Sequence, residues 1–369
     1  MEPVIEIAQA LTRFRSTHER PEEMKACLEY CRNYFADLPV HAKLLEYGSV
    51  PTLVVGNVAT THYDVLLVGH IDTVEGTDEL FAGTLKNGRL YGRGTLDMKA
   101  FVATSMVVFS DLVRADFSGT IGLVIVTDEE LGGRCGARHL VEDLGYTADT
   151  VLVPDDGEAI DRVIGDTKHI LQLSFVAKGK EAHACRPWNG QNAITALFTT
   201  YQKLAIALDK LAAEDAKEAS DPNWITTYNI GTINGGVATN EVPEQAEMTV
   251  DVRFVAPTTR AQLMQLVEES LAPGVKMNVA LEGPPTTLMR DAVVDAYLQS
   301  IAECTGKVPQ LVGALGGTDG RYFAYAGMRT IVHQSAGGNA QAADEYVETQ
   351  GLLDLVQIQK QFIETTYGG

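Results

Sequence analysis

The chain has 369 residues, of which 45% are hydrophobic and 21% are charged. This length is about two and a half times that of a typical domain and the composition is that of a globular protein, so two packed domains are expected and a disordered or fibrous chain is excluded. The 29 Lys and Arg residues against 49 Asp and Glu residues give a net charge of −20, which disfavours nucleic acid and anionic membranes as partners.

The cysteines and the N-terminus indicate where the protein works. The five cysteines are few, odd in number and scattered, unlike the disulfide framework of a small secreted domain. Glu2 and Glu6 lie where a signal peptide would be basic, and no apolar run approaches the roughly 18 residues of a membrane-spanning helix. A soluble, cytoplasmic protein with free thiols is therefore predicted.

The first part of the chain alternates between helical and extended patterns. Helical periodicity predicts helices over residues 21–38 and 97–114, and short runs rich in Val, Ile and Leu predict buried strands over 64–74, 120–130 and 150–156. Such alternation predicts an α/β domain with a mixed, largely parallel central sheet flanked by helices.

The middle of the chain follows a different pattern. Alternating and β-branched segments predict strands over 169–179, 225–236 and 247–256, and amphipathic segments predict helices over 191–216 and 259–271. The first pattern returns after the sequence EGPPTT, with helices predicted over 291–306 and 349–367. We therefore expect a catalytic domain in two parts, 1–166 and 284–369, around an inserted α+β domain at 167–283.

Polar residues follow the predicted strands of the first domain. In an open α/β sheet such residues face the crevice where ligands bind. Alone, each short motif is more typical of a hydrogen-bonded pair or a solvated turn. Together, their carboxylates would be costly to bury without a cation. A two-zinc hydrolytic site requires a bridging carboxylate, terminal ligands for each ion and a free carboxylate that acts as base, and these residues could supply all three. The residues are His70 and Asp72 in GHIDTV, Asp97 in GRGTLDMKA, Glu129 and Glu130 in TDEELGG, and Asp155 in VLVPDDGEA.

Five motifs carry a resemblance to a known family. GHIDTV, LYGRGTLDMKA, TDEELGG, GGTDGRYF and ADEYV resemble the metallopeptidase family of acetylornithine deacetylase, succinyl-diaminopimelate desuccinylase and glutamate carboxypeptidase, in the same order along nearly the whole chain. The resemblance implies a zinc-exopeptidase-like fold and a homodimeric hydrolase with one or two Zn²⁺ ions, for which Co²⁺ can substitute. Its substrate would be an N-acyl amino acid or short peptide, cleaved at an amide next to a free carboxylate.

The resemblance also implies roles for individual residues. In the first part of the chain, His70 and Asp155 would bind one metal, Asp97 would bridge both metals, Glu130 would bind the second, Glu129 would be the general base and Asp72 would brace His70. In the insert, which would act as a lid and dimerisation domain, His183 would polarise the scissile carbonyl. Asn240, Arg253 and Thr318 would hold the substrate carboxylate, a task that suits the planar fork of arginine.

One position departs from the family pattern. In relatives, the last ligand of the second metal is a histidine that lies four residues before the Glu of the ADEYV motif. Here that position is Gln341. Gln341 could be a weak ligand or bystander in an active enzyme, or a natural or introduced substitution that lowers activity. The chain could also be a non-catalytic relative that binds acylated amino acids or peptides. Because a pure binding protein would not need Glu129, we favour the enzyme.

Overall fold

The computed structural model describes residues 2–157 and 159–369. The chain divides into two compact units. One consists of Met1–Asp166 and Thr286–Gly369, and the other, the insert, is Thr167–Pro285. The insert therefore ends at residue 285, slightly beyond the predicted 283. Within the described ranges, no helix is both long enough and apolar enough to cross a membrane.

The first segment alternates helices with strands. Its helices are α1 (Pro3–Thr12), α2 (Pro21–Tyr34), α3 (Lys99–Arg114) and α4 (Ala137–Glu142). Its strands are β1 (His41–Tyr47), β2 (Val50–Gly56), β3 (His62–His70), β4 (Thr84–Lys86), β5 (Arg89–Tyr91), β6 (Ile121–Val126), β7 (Thr147–Val153) and β8 (Arg162–Thr167).

The insert and the last segment complete the chain. The insert contains β9 (His169–Lys178), β10 (Ala182–His183), α5 (Ala193–Glu218), β11 (Thr227–Gly235), β12 (Glu241–Val242), β13 (Gln245–Phe254), α6 (Arg260–Ser270) and β14 (Val275–Gly283). The last segment contains α7 (Ala292–Thr305), β15 (Gln310–Ala314), α8 (Gly320–Tyr325), β16 (Arg329–Val332), β17 (Gly337–Gly338), β18 (Tyr346–Glu348) and α9 (Thr349–Tyr367).

The main sheet of the first unit has the strand order β1-β2-β6-β3-β7-β16. The pairs formed by β3 with β6, β3 with β7 and β7 with β16 are parallel, whereas β1 with β2 and β2 with β6 are antiparallel. The predicted mixed, largely parallel sheet is thus confirmed. β1 and β2 extend this sheet by two antiparallel strands beyond those predicted.

Helices cover both faces of this sheet because successive strand residues point to opposite sides. Val65 and Leu67 of β3 lie in a hydrophobic cluster with residues of α1, α2, α3, α7 and α9. Leu66 and Val68 lie in a second cluster with residues of α4 and α8. Both faces of the sheet are therefore buried, which explains why the sequences of β3, β6 and β7 contain continuous apolar runs.

The insert is a sheet packed against helices on one face. Its antiparallel sheet has the order β11-β13-β9-β14, and alternate residues of β9 are buried. The buried side chains pack against apolar residues of α5 and α6. Asn192 caps α5 by accepting the backbone N–H of Thr195, and Thr259 and Gln262 form a capping box at the start of α6. The insert is therefore an α+β unit with its own core.

Candidate active site

The candidate site lies at the carboxyl ends of three parallel strands. His70, the last residue of β3, is opposite Val126 at the end of β6, and Leu67 of β3 is opposite Leu152 of β7. The chain then continues from β6 into Glu129 and Glu130, and from β7 into Asp155. This register brings polar residues from distant parts of the sequence to one edge of the sheet.

His70, Asp97 and Asp155, which we call the three-ligand cluster, converge on one point. The Nε2 atom of His70 lies 3.1 Å from Asp97 Oδ1 and 3.6 Å from Asp155 Oδ1. One ligand atom from each of the three residues lies within 4.8 Å of the others. An imidazole nitrogen and two carboxylate oxygens are donors that a divalent metal such as zinc accepts, so the residues fit a metal ion.

The cluster is strongly negative. Burial by itself lowers the pKa of His70, but the carboxylates of Asp155, Asp72 and Asp97 outweigh this effect and raise the pKa well above its usual value. The side chain of His70 is only 1% exposed, so water screens these charges poorly. The same potential that attracts a proton to the imidazole attracts a metal cation.

Asp72 contacts His70 on the side of the ring opposite the nitrogen that faces Asp97 and Asp155. It lies on the Nδ1 side of His70, with its carboxylate Oδ1 at 3.4 Å and its backbone oxygen at 3.0 Å. Its Oδ2 accepts the backbone N–H of Glu130 at 3.0 Å and lies 3.1 Å from Nε2 of His18. Burial favours a higher pKa for Asp72, but the hydrogen bonds from His18 and His70 outweigh it and lower the pKa. Asp72 therefore orients both His70 and the Glu130 backbone.

Glu129 and Glu130 form a short turn after β6 and have separate partners. Glu129 Oε1 lies 3.8 Å from the guanidinium of Arg321, and burial followed by the charge of Asp319 raises the pKa of Glu129 well above its usual value. Burial, and next the charge of Asp97, raises the pKa of Glu130 to about 7. A partly buried carboxylate of raised pKa is suited to accept and return a proton.

The side chain of Gln341 links the carboxylates of Asp97 and Glu130. Its side-chain Nε2 donates to Asp97 Oδ2 at 3.1 Å and to the two carboxylate oxygens of Glu130 at 3.2 and 3.0 Å. Its backbone N–H donates to Glu345 at 3.2 Å. The structure thus brings Gln341 next to the candidate metal ligands, as a hydrogen-bond donor.

Thr318 lies in the GGTDGRYF motif and is hydrogen-bonded to two other residues of that motif. Its hydroxyl accepts the backbone N–H of Gly320 at 3.0 Å, and its backbone oxygen accepts a hydrogen bond from Arg321 at 3.1 Å. Arg321 also donates to Gly132 at 2.9 Å, so it ties this motif to the turn that carries Glu129. The motif itself is the signal that could have identified Arg321. Nothing in the sequence pairs His18 with Asp72, which is 54 residues away.

The predicted residues of the insert are not all together. His183 is exposed in β10 opposite Glu241, next to Asn240, whose backbone oxygen accepts the N–H of Ala184. Arg253 lies near the far end of β13, about 26 Å along the strand from its start. Its Nε and Nη2 donate to Asp251 at 2.6 and 3.2 Å. Within the insert, His183 and Asn240 therefore lie together and Arg253 lies apart from them.

A family model for peptidase family M20/M25/M40 matches residues 66–365. The chain belongs to this family. It is 29% identical over 314 residues to a succinyl-diaminopimelate desuccinylase of Pseudoalteromonas translucida, an alignment that covers 80% of this chain and 82% of the relative. It is 34% identical over 196 residues to a probable carboxypeptidase of Aspergillus terreus, covering 53% of this chain and 45% of the relative.

Solved structures share the fold. An M20 family metallo-carboxypeptidase of Sulfolobus solfataricus superposes with a TM-score of 0.79 at 18% identity, covering 99% of both chains. An aminopeptidase of Bacillus cereus superposes with a TM-score of 0.78 at 21% identity, covering 98% of both chains. The family membership makes this M20 chain a metal-dependent hydrolase of amide or peptide bonds, and it does not favour the alternative of an inactive relative.

Proposed function

We propose that this M20 hydrolase cleaves the amide bond of an N-acyl amino acid or short peptide that carries a free carboxylate, with zinc at the three-ligand cluster. The observation that carries the proposal is the convergence of His70, Asp97 and Asp155 within 4.8 Å. The charge of His70 lowers the pKa of Glu129 and the charge of Asp155 raises it, so Glu129 interacts electrostatically with two residues of the cluster. Relatives that bear the names desuccinylase and carboxypeptidase support this substrate class.

Each residue of the first unit has a part in the reaction. When bound, zinc or cobalt polarises the amide carbonyl and makes water easier to deprotonate. Glu129 accepts a proton from the attacking water and passes it to the leaving amine nitrogen. Asp72 keeps His70 in the tautomer that offers Nε2, and its hydrogen bond to the Glu130 backbone keeps the neighbouring Glu129 in place.

The substrate carboxylate is assigned to residues of the insert and of the GGTDGRYF motif. Arg253, Asn240 and Thr318 would bind it and His183 would polarise the scissile carbonyl. Because His183 and Asn240 lie apart from Arg253 within the insert, we assign these two residues to the site of the second chain of a homodimer. Because Nε and Nη2 of Arg253 engage Asp251, its Nη1 is the guanidinium atom we assign to the substrate. Asp251 would then hold the fork in a fixed orientation, which reduces the entropy lost on binding.

We also assign the insert to a homodimer interface and the protein to the cytoplasm. β11 is an edge strand among the described strands of its sheet and exposes 49% of Ile233, and Phe198 and Ile206 of α5 are 56% and 60% exposed. An exposed sheet edge with apolar side chains favours pairing with a second chain. Free cysteines throughout the chain suit a reducing compartment. Light scattering after size exclusion measures the mass, and Ile233→Asp should shift a dimer toward the monomer.

Turnover and metal content test the activity. Purified protein is analysed for bound metal and assayed with N-acetyl and N-succinyl amino acids and dipeptides, each as the free acid and as the C-terminal amide. We expect bound zinc and hydrolysis of free acids in preference to their amides. Arg253→Lys should raise KM for the free acids more than it lowers kcat, because lysine lacks the planar fork that can hold Asp251 and the substrate carboxylate at the same time. Absence of bound zinc, together with no turnover after zinc or cobalt addition, would disprove the proposal.

A further inference from the structure

Hydrogen bonding holds the backbone of Gln341 in place beside the three-ligand cluster. Its backbone has a φ of 60°, in the left-handed region, and its N–H donates to Glu345. Glu345 is itself buried and paired with Arg93 at 2.7 Å. The backbone of Gln341 is therefore held in place by a buried ion pair, although its side chain is exposed.

The two oxygens of Asp97 face different partners. Oδ1 lies 3.1 Å from His70 Nε2, in the three-ligand cluster, whereas Oδ2 accepts the Gln341 amide at 3.1 Å. The same amide nitrogen donates to Glu130 at 3.0 Å. Two converging carboxylates repel each other unless a cation or N–H donors lie between them, and the amide of Gln341 has two N–H groups, one for each carboxylate.

A metal ion could not use this amide as it stands. An amide nitrogen with two protons donates hydrogen bonds and has no lone pair for a metal, so coordination would require a half-turn of the amide that breaks its bonds to Asp97 and Glu130. The amide oxygen that would then face the ion is neutral and hard, and binds zinc more weakly than imidazole. Within the described ranges, the three-ligand cluster alone brings three His, Cys, Asp or Glu ligand atoms together.

We propose that the centre binds one divalent ion, at His70, Asp97 and Asp155, and that the amide of Gln341 replaces a second ion by joining Asp97 to Glu130. This inference rests on the proposed function, since it presumes a metal at the three-ligand cluster. Asp97 is then a ligand to one ion, and Glu130 is a hydrogen-bond acceptor. This arrangement differs from the bridged pair of metals implied by the family resemblance.

The number of tight metal sites per chain tests the inference without reference to activity. Chelator-treated protein is titrated with Co²⁺ or Zn²⁺, followed by calorimetry and by the visible absorption of cobalt. We expect one equivalent for the wild type and two for Gln341→His, which supplies an imidazole at a left-handed position that histidine tolerates. Gln341→Glu, which keeps the shape and replaces N–H donors by an oxygen ligand, should also take up a second ion. Gln350→His, an added surface histidine on α9, should stay at one.

The outcomes separate the two proposals. Two equivalents in the wild type would overturn the single-ion inference and leave the proposed function standing. No binding by the wild type would overturn the proposed function as well. One equivalent in the wild type and in both Gln341 variants would show that the amide is not what excludes the second ion, which would also overturn the inference.

Discussion

Arg93 and Glu345 are 252 residues apart in the sequence and form a buried ion pair at 2.7 Å. Glu345 also accepts the backbone N–H groups of Leu96, Asp97 and Gln341, at 3.0, 3.4 and 3.2 Å. A single carboxylate thus ties the turn that carries Asp97 to the loop that carries Gln341. The ADEYV motif is therefore a scaffold for the candidate metal centre.

Removing the charge of Glu345 should destabilise the protein. Glu345→Gln leaves Arg93 buried without a counter-charge, and we expect unfolding free energy to fall by about 3–5 kcal/mol. Urea unfolding of the metal-free protein measures the change without a contribution from bound metal. The matched control is Glu348→Gln, which breaks the ion pair between Glu348 and Arg89. The two side chains lie 3.3 Å apart at the surface, so the loss of this pair should lower the unfolding free energy far less. Equal losses for the two variants would contradict the scaffold role.

Replacing Glu129 by glutamine should separate catalysis from metal binding. The amide cannot accept the proton of the attacking water, so we expect kcat to fall by about 10²–10⁴-fold. Metal content should stay unchanged, because Glu129 is outside the three-ligand cluster. Glu142→Gln on the surface of α4 is the control for loss of a carboxylate. A Glu129→Gln enzyme with more than a tenth of wild-type kcat would exclude Glu129 as the general base.

Zinc should stabilise the folded protein through Asp155. A ligand that binds only the native state at a hundred times its Kd adds about 2.7 kcal/mol to the unfolding free energy. Thermal unfolding across a zinc titration should show this gain in the wild type and lose it in Asp155→Asn. Asp161→Asn, which replaces a surface partner of Lys307, should keep the gain. If Asp155→Asn responds to zinc like the wild type, Asp155 is not a ligand.

His333 should make the unfolding free energy depend on pH. Burial lowers the pKa of His333 to about 4, and the neutral ring accepts from Tyr297 and donates to the backbone oxygen of Ile160, both at 2.9 Å. The pKa of a histidine in the unfolded chain is about 6.5, so between about pH 6.5 and 4 only the unfolded chain takes up this proton. The neutral His333 therefore contributes its whole stabilisation above about pH 6.5, and the unfolding free energy falls by about 3 kcal/mol as the pH falls to about 4.

The pH effect is measured by urea unfolding at several pH values. His333→Leu should be less stable at neutral pH, since Tyr297 and Ile160 lose their partner, but should lose less stability than the wild type between pH 6.5 and 4. His62→Leu, at an exposed position, should keep the wild-type slope. An unchanged slope in His333→Leu would contradict the buried neutral histidine.

The parallel strands of the main sheet and the motifs of the candidate site could be predicted because their signals are local. β6 and the C-terminal parts of β3 and β7 are buried on both faces, so each contains a continuous apolar run that is followed by polar residues. β1 was missed because most of its residues are exposed and no apolar pattern marks it. The position of Gln341 followed from its spacing to Glu345. The partners of its amide did not, since Asp97 is 244 residues away and Glu130 is 211.

The α/β class and the motifs that identify the family can be derived from the amino-acid sequence alone. These depend on periodicity and on residue types a few positions apart, which the local backbone geometry translates directly into strands, helices and turns. By contrast, three contacts follow only from tertiary packing: Arg93 pairs with Glu345, His18 contacts Asp72, and the amide of Gln341 donates to two carboxylates. Each of these contacts joins segments far apart in the chain, so its geometry depends on how the sheet and loops pack rather than on any local pattern.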